Sequence, residues 1–278
     1  MKKTFLCAAA ASAAALGPCA AHAQSAGSNV IGLGWFHVQP IQSSTSLNTS
    51  VAPTPINTPL RLPSQFDSPG TGLRTSTADT LGLTISHFLT DHIAVTSVAG
   101  VPPVFKVRGN GTITPPGPAG ALGTQNIGLG AVNPIVKSVR QWSPAVIFQY
   151  YFANANAKIR PFLGVGVSYN WFSDLQLNNN FIKQTQDNLG SILAAGAGKP
   201  GTTQVSAKAS SSWQPVFNAG VTYAINEHWG LIASVTYIPL KTTSTVTIKA
   251  ADGTTLAESK GDLKADPIIS YLAVSYKF

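Results

Sequence analysis

Side chains of opposite character alternate along several stretches of the chain. The clearest runs Trp142, Pro144, Val146, Phe148, Tyr150, Phe152, with Ser143, Ala145, Ile147, Gln149 and Tyr151 between them. A second follows after Ala153–Ala157. There Pro161, Leu163, Val165, Val167, Tyr169 and Trp171 oppose Phe162, Gly164, Gly166, Ser168 and Asn170. A strand repeats every two residues, so each run has a greasy face and a small or polar face. The same pattern recurs from Trp213 to Ile225, from Trp229 to Tyr237, and from Ile268 to Phe278. Leu81, Leu83 and Ile85 alternate more faintly with Gly82, Thr84 and Ser86. The first strand, about 29–39, is rich in glycine, and its outward face is ambiguous.

Eight strands are predicted, at about 29–39, 79–89, 92–107, 137–152, 158–172, 212–225, 229–241 and 265–278. Three connections are tight, at 90–91, 153–157 and 226–228. Four are long, at roughly 40–78, 108–136, 173–211 and 242–264. Lipid leaves room for helices or closed barrels only, because every backbone polar group must be paired. No apolar run long enough for a membrane helix follows Ala23. An even count, tight turns at one end and long loops at the other are the marks of an outer-membrane barrel. The expected fold is therefore all-β, an eight-stranded antiparallel transmembrane β-barrel with short periplasmic turns and long extracellular loops. A soluble sandwich is the competitor, since alternation alone does not exclude it.

Aromatic spacing supports the membrane reading. Tyr150, Tyr223, Trp229, Tyr276 and Phe278 lie beside the tight turns or the terminus, and Trp142, Trp213 and Tyr237 lie further along their strands. Ten residues at ~3.3 Å each, tilted by roughly 40°, rise about 25 Å, the height of an apolar band edged by aromatic girdles. Prolines keep a similar height. Pro102 and Pro144 fall on adjacent expected strands, and proline donates no ladder hydrogen bond. They mark either the level at which strands leave the membrane or a gap in the wall. The first reading is preferred on sequence alone, with Pro102 and Pro144 kept as candidates for a lateral opening.

Residues 1–23 read as a secretory signal: Lys2 and Lys3, an apolar stretch from Phe5 to about Leu16, and Ala21-His22-Ala23 as the cleavage site. The expected product is a domain of residues 24–278, exported by a Sec-type route to the outer membrane. Cys7 and Cys19 both fall in the leader, so no disulfide framework is expected. The formal net charge is +8, but the basic residues are scattered without a Lys/Arg run. That excludes a nucleic-acid footprint. Arg61, Arg74, Lys137, Arg140, Lys183, Lys199 and Lys208 are candidates for meeting anionic lipopolysaccharide.

Four segments carry a family resemblance. They are Leu81–Thr84 through Thr90-Asp91-His92-Ile93; Tyr151-Phe152 with Ile159-Arg160-Pro161-Phe162-Leu163-Gly164-Val165-Gly166; Gly220–Tyr223 with Ile225–Trp229; and Asp266-Pro267 running to Tyr276-Lys277-Phe278. In these the chain resembles the outer membrane protein W family (OmpW/AlkL). The resemblance implies an eight-stranded barrel with a narrow, rather apolar lumen for passage of small hydrophobic molecules. Phe278 with Tyr276 also resembles the signal read by the barrel-assembly machinery. The long loops depart from the family pattern, so ligand preference does not carry over.

Eight strands enclose an interior that side chains nearly fill, so a wide aqueous pore is not expected. Candidate lumen positions are Phe162, Gly164, Gly166, Ser168, Ile232, Ser234, Ile269, Tyr271 and Ala273, a set with few charges. Glycines there would leave room for a hydrocarbon chain. The expected role is passive uptake of small hydrophobic solutes, with release sideways or towards the periplasm. The alternative is a structural or adhesive surface barrel whose long loops bind a partner, although their composition also suits flexible surface. An enzyme is not expected, and no cofactor or metal is implied. His92 and His228 look like solvated turn residues, and His37 and His87 have no carboxylate near them in sequence. Distant residues can still meet in a fold.

Overall fold

The computed structural model describes residues 24–278; the expected leader, 1–23, lies outside the described residues. Eight strands close into an antiparallel barrel: β1 (Asn29–Pro40), β2 (Ala78–Phe88), β3 (Ile93–Gly100), β4 (Ala145–Tyr151), β5 (Ile159–Leu177), β6 (Ser212–Ala224), β7 (Trp229–Tyr237) and β8 (Pro267–Lys277). Each pairs with its sequence neighbours, β1 pairs with β8, and β4 pairs with β5, so the ring has no free edge. Closure satisfies the backbone groups that an open edge would leave bare in hydrocarbon. The last residue is tied in as well: Phe278 and Asn29 exchange backbone hydrogen bonds at 3.0 and 3.1 Å.

Burial follows the alternation. On β5, Leu163, Val165 and Val167 are more than half exposed, whereas Phe162 and Ser168 are buried. The ring of outward aliphatic and aromatic side chains continues through Leu33, Leu81, Phe148, Phe217, Val235 and Leu272. So large a bare apolar belt is foreign to a soluble monomer and suits hydrocarbon. Among the described residues no helix is long and apolar enough to cross a membrane. The first strand's register is now defined. Val30 and Val38 are buried in the barrel, and Leu33 and Trp35 are exposed on its outside.

Two expected strands are each broken in two. The expected 92–107 splits into β3 and a separate strand Val104–Asn110, and the expected 137–152 splits into Val136–Trp142 and β4. By contrast β5 runs unbroken through 19 residues and carries both pieces, pairing with β4 and then with Val136–Trp142.

The long connections are not the plain flexible surface that their composition suits. The expected 242–264 loop is a hairpin of Lys241–Lys249 and Thr255–Lys264, joined in one sheet to Gln204–Ala209, Leu47–Val51 and Gln65–Ser68. Two short helices, Asn179–Thr185 and Ser191–Gly196, pack on it. Leu47, Phe66, Ile127, Phe181, Leu193 and Leu256 fill a core of its own. The barrel thus carries a folded ectodomain with a second hydrophobic core beyond its long-loop end.

Candidate functional site

The break in β3 and β4 has a local cause. Backbone donors alternate sides along a strand. The Val101 amide donates to Leu81 O at 2.9 Å, towards β2. The next residue would have to donate across to β4, and it is Pro102, which has no N–H. Gly100 turns the chain there with φ 151°, and a Cβ at this position would lie 2.4 Å from Leu81 O. On the facing strand, Pro144 stays attached to β5, accepting from the Tyr169 amide at 3.2 Å. The β3–β4 ladder therefore ends at Val98 and Ala145. Backbone contact resumes only where the Gln141 amide donates to Pro103 O at 3.0 Å.

An apolar cavity of about 350 Å³ lies at this seam. Pro102, Pro103 and Pro144 form its outer edge, and Val98, Ile147, Val216 and Ile269 its inner wall. Trp142 and Trp171 stack at its rim, with centroids 5.7 Å apart and planes within 3°. A smaller apolar cavity of about 60 Å³ shares Val38, Phe105, Gln141 and Pro267 with it and reaches up among Leu240, Leu263 and Leu73 of the ectodomain junction.

Below the cavity the barrel is filled. Gln149 spans the interior: its Oε1 accepts from Thr96 Oγ1 at 2.6 Å, and its Nε2 donates to Asn218 Oδ1 at 2.8 Å. Asn218 passes the chain on to Thr236 Oγ1 at 2.9 Å. Fully paired amides of this kind cost little to bury and make a rigid floor. Only about 40 Å³ of space remains at that level. Under it the rings of Phe88, Tyr151 and Phe162 pack together, with Phe88–Tyr151 at 4.9 Å and Tyr151–Phe162 at 5.0 Å. Arg160, 2% exposed, lies over Phe88 and Tyr151 and donates to Gln24 O and Asp91 O. The tight-turn end is thus closed by three successive layers.

The residues singled out from sequence separate in the fold. Pro102, Pro144 and Ile269 line the large cavity. Phe162 belongs to the aromatic layer, with Ile232 packed against it. Ser234 lines the 40 Å³ space, and so does Tyr271, whose hydroxyl donates to Gly32 O at 3.0 Å. Ser168 accepts from Asn170 Nδ2 at 2.9 Å, away from either space. Ala273 is buried beside Gly34. Gly164 and Gly166 do not leave the room expected of them. A Cβ on Gly164 would meet Ile147 Cγ2 at 2.8 Å, and one on Gly166 would meet Val146 O at 2.1 Å. Their missing side chains are space already occupied by β4. Tyr276 packs edge-on to Trp229 at 5.0 Å on the outer surface.

Phe36, Val98, Ile147, Val216 and Ile238 are cavity residues that sequence reasoning missed. Alternation placed some of them inside, but nothing local marked their height. Two cationic candidates are already engaged: Arg140 pairs with Asp174 at 3.3 Å and Lys199 with Asp252 at 2.7 Å. His92 and His228 are bonded rather than merely solvated, through Tyr151 O at 2.7 Å and Lys277 O at 3.1 Å.

Comparison with known proteins gives a family and a fold. Residues 45–278 match the model of the OmpW family. Outer membrane protein W of Vibrio cholerae is 28% identical over 198 residues, 71% of this chain and 73% of that protein. Outer membrane protein AlkL of Ectopseudomonas oleovorans is 27% identical over 199 residues, 72% of this chain and 66% of that protein. Among solved structures, the outer membrane protein OprG from Pseudomonas aeruginosa superimposes with a TM-score of 0.67 at 23% identity, covering 92% of this chain and 98% of that one.

Proposed function

This chain belongs to the OmpW family, and from that premise we propose that it is an outer-membrane channel for passive uptake of small hydrophobic molecules. The observation that carries the reading is the apolar cavity at the β3–β4 seam, standing above a closed floor. A hydrophobic solute enters from the ectodomain side, past Phe105 and Val38, and comes to rest against Val98 and Ile147. The floor stops it from descending. The missing ladder between Val98–Ala145 and Pro103–Gln141 lets it leave sideways into the hydrocarbon. Its own gradient drives the step, and apolar solute gains roughly 25 cal/mol for each Å² taken out of water. The partners in this reading are hydrophobic solutes, lipopolysaccharide around the mouth, and the assembly machinery that reads the Tyr276–Phe278 end.

The test is uptake of a labelled alkane or aromatic by cells carrying the protein, the Val98→Trp variant, or neither. Indole in place of the valine fills the cavity; Val98 also borders the small space at the floor, so folding of the variant in detergent is measured alongside uptake. Val98→Trp is expected to fall to the rate of cells lacking the protein. Equal rates with and without the protein overturn the channel.

A second reading, a surface barrel that binds a partner, is favoured by one feature, the separate core of the ectodomain. It is distinguished by transport: a purely adhesive barrel leaves uptake unchanged when the protein is removed.

A further inference from the structure

We propose that Ser270, His37 and Asp79 form a hydrolytic site on the lipid-facing wall, acting on long-chain acyl esters anchored in the outer leaflet. The three residues are directly opposed on neighbouring strands: His37 pairs with Asp79 of β2 on one side and with Ser270 of β8 on the other. Each shares the outward face of its strand with exposed apolar residues, Trp35 on β1, Leu81 on β2 and Leu272 on β8. Directly opposed residues hold their Cβ atoms about 5 Å apart, within reach of a histidine ring.

The orienting half of the set is already made. His37 Nδ1 lies 2.7 Å from Asp79 Oδ1. Trp35 Nε1 donates to the same carboxylate oxygen at 3.0 Å and fixes it in place. With Nδ1 donating to the carboxylate, Nε2 is left as the basic nitrogen, the tautomer a Ser–His–acid set requires. Ser270 Oγ makes no hydrogen bond among the described residues, so it is free to turn towards that nitrogen. Val235, its other cross-strand neighbour, is apolar and exposed.

Position selects the substrate. All three residues sit near the long-loop ends of their strands, and His37 lies beyond the interfacial Trp35. An ester linkage of an outer-leaflet amphiphile lies at that height, its acyl chain running down past Leu33 and Leu272. Ser270 Oγ attacks the ester carbonyl carbon, and His37 Nε2 takes the hydroxyl proton. The C–O bond to the alcohol then breaks, and the alcohol leaves with that proton. Water attacks the acyl-serine, its proton passes through His37 to Ser270, and the fatty acid departs. Asp79 is a positioning residue. Gln39 and Tyr237, both opposite Ile268 and two positions along the same outward face from Ser270, are side-chain donors on that face for the oxyanion.

The experiment uses the full chain refolded in detergent with an alkyl fluorophosphonate, followed by mass spectrometry of the labelled peptide. Label on Ser270 is expected, lost at least tenfold in Ser270→Ala and His37→Asn. Asp79→Asn is expected to lower kcat for a p-nitrophenyl ester with KM unchanged, which a merely structural role would not do. Phospholipid vesicles and lipopolysaccharide micelles, compared for fatty acid release, tell which amphiphile supplies the ester. Equal labelling of wild type and Ser270→Ala, or release from neither lipid, overturns the proposal. The channel is unaffected by that failure, because Val98 and the seam lie on a different face of the wall.

Discussion

The Gln149 side chain donates to Asn218 Oδ1 at 2.8 Å across the inside of the barrel, from β4 to β6 over the intervening β5. This bond divides the interior into an apolar upper cavity and a packed lower half. Gln149→Ala removes the bridge and takes their partner from Asn218 Oδ1 and the Tyr151 hydroxyl, while Thr96 keeps its bond to Ser86. The expected cost is about 1–3 kcal/mol for the unsatisfied groups, read as a lower unfolding temperature in detergent. Hydrocarbon uptake should stay within about twofold of wild type, since the proposed route leaves above the floor. A tenfold change in uptake would place the route through the floor instead.

Pro102 withholds the one amide that would continue the β3–β4 ladder. Pro102→Ala restores that donor, and its N–H gains a bond worth about 1 kcal/mol when a partner is reached. Uptake is expected to fall several-fold while stability rises slightly. Pro144→Ala, whose backbone faces β5, should change uptake less. The two variants compared side by side in one uptake assay check this asymmetry.

Val165 lies on the outward face, opposite Phe148 on one side and Phe217 on the other. Val165→Arg places a cation on the lipid face and should cost about 2–4 kcal/mol if the position lies near the bilayer midplane. The same change at Ala251, in the exposed turn of the ectodomain hairpin, should cost almost nothing. Folding free energies in lipid vesicles, measured for both variants, test whether hydrocarbon wets the barrel.

In the ectodomain, the Lys199 ammonium holds the Asp252 carboxylate down to about pKa 2, helped by the backbone and hydroxyl of Thr254. A depressed carboxylate stabilises the fold above its ordinary titration range, and the contribution fades as pH drops through the folded value. Lys199→Ala should therefore move the Asp252 titration up towards the ordinary carboxylate value of about 3.9, visible by NMR. Because the pair is exposed, the melting of the barrel at neutral pH should hardly move.

Much of the barrel was legible along the chain. Alternation such as that of Phe162 to Ser168 against Leu163 to Val167 reports a half-buried strand directly, because burial on one face is a local property with period two. The strand count, the tight turns and the outward aromatic residues followed from it. The glycines of the lumen face misled, since Gly164 and Gly166 are small where Ile147 and Gln149 of the next strand need the space. The ectodomain was hidden for a different reason. Val51 pairs with Ala257 across more than two hundred residues, and no short window contains both partners.

The sequence by itself determined the alternation of greasy and small faces along the later strands, since that depends only on near neighbours, but it left the outward face of β1 open. Tertiary structure decided what lies beside what. It set Pro102 opposite a strand that breaks at the same height, brought Gln149 within reach of Asn218, and placed Asp79 against His37. Each pairing depends on the register between strands and on ring closure. These are fixed by the packing of the whole barrel, not by the order of residues in any one segment.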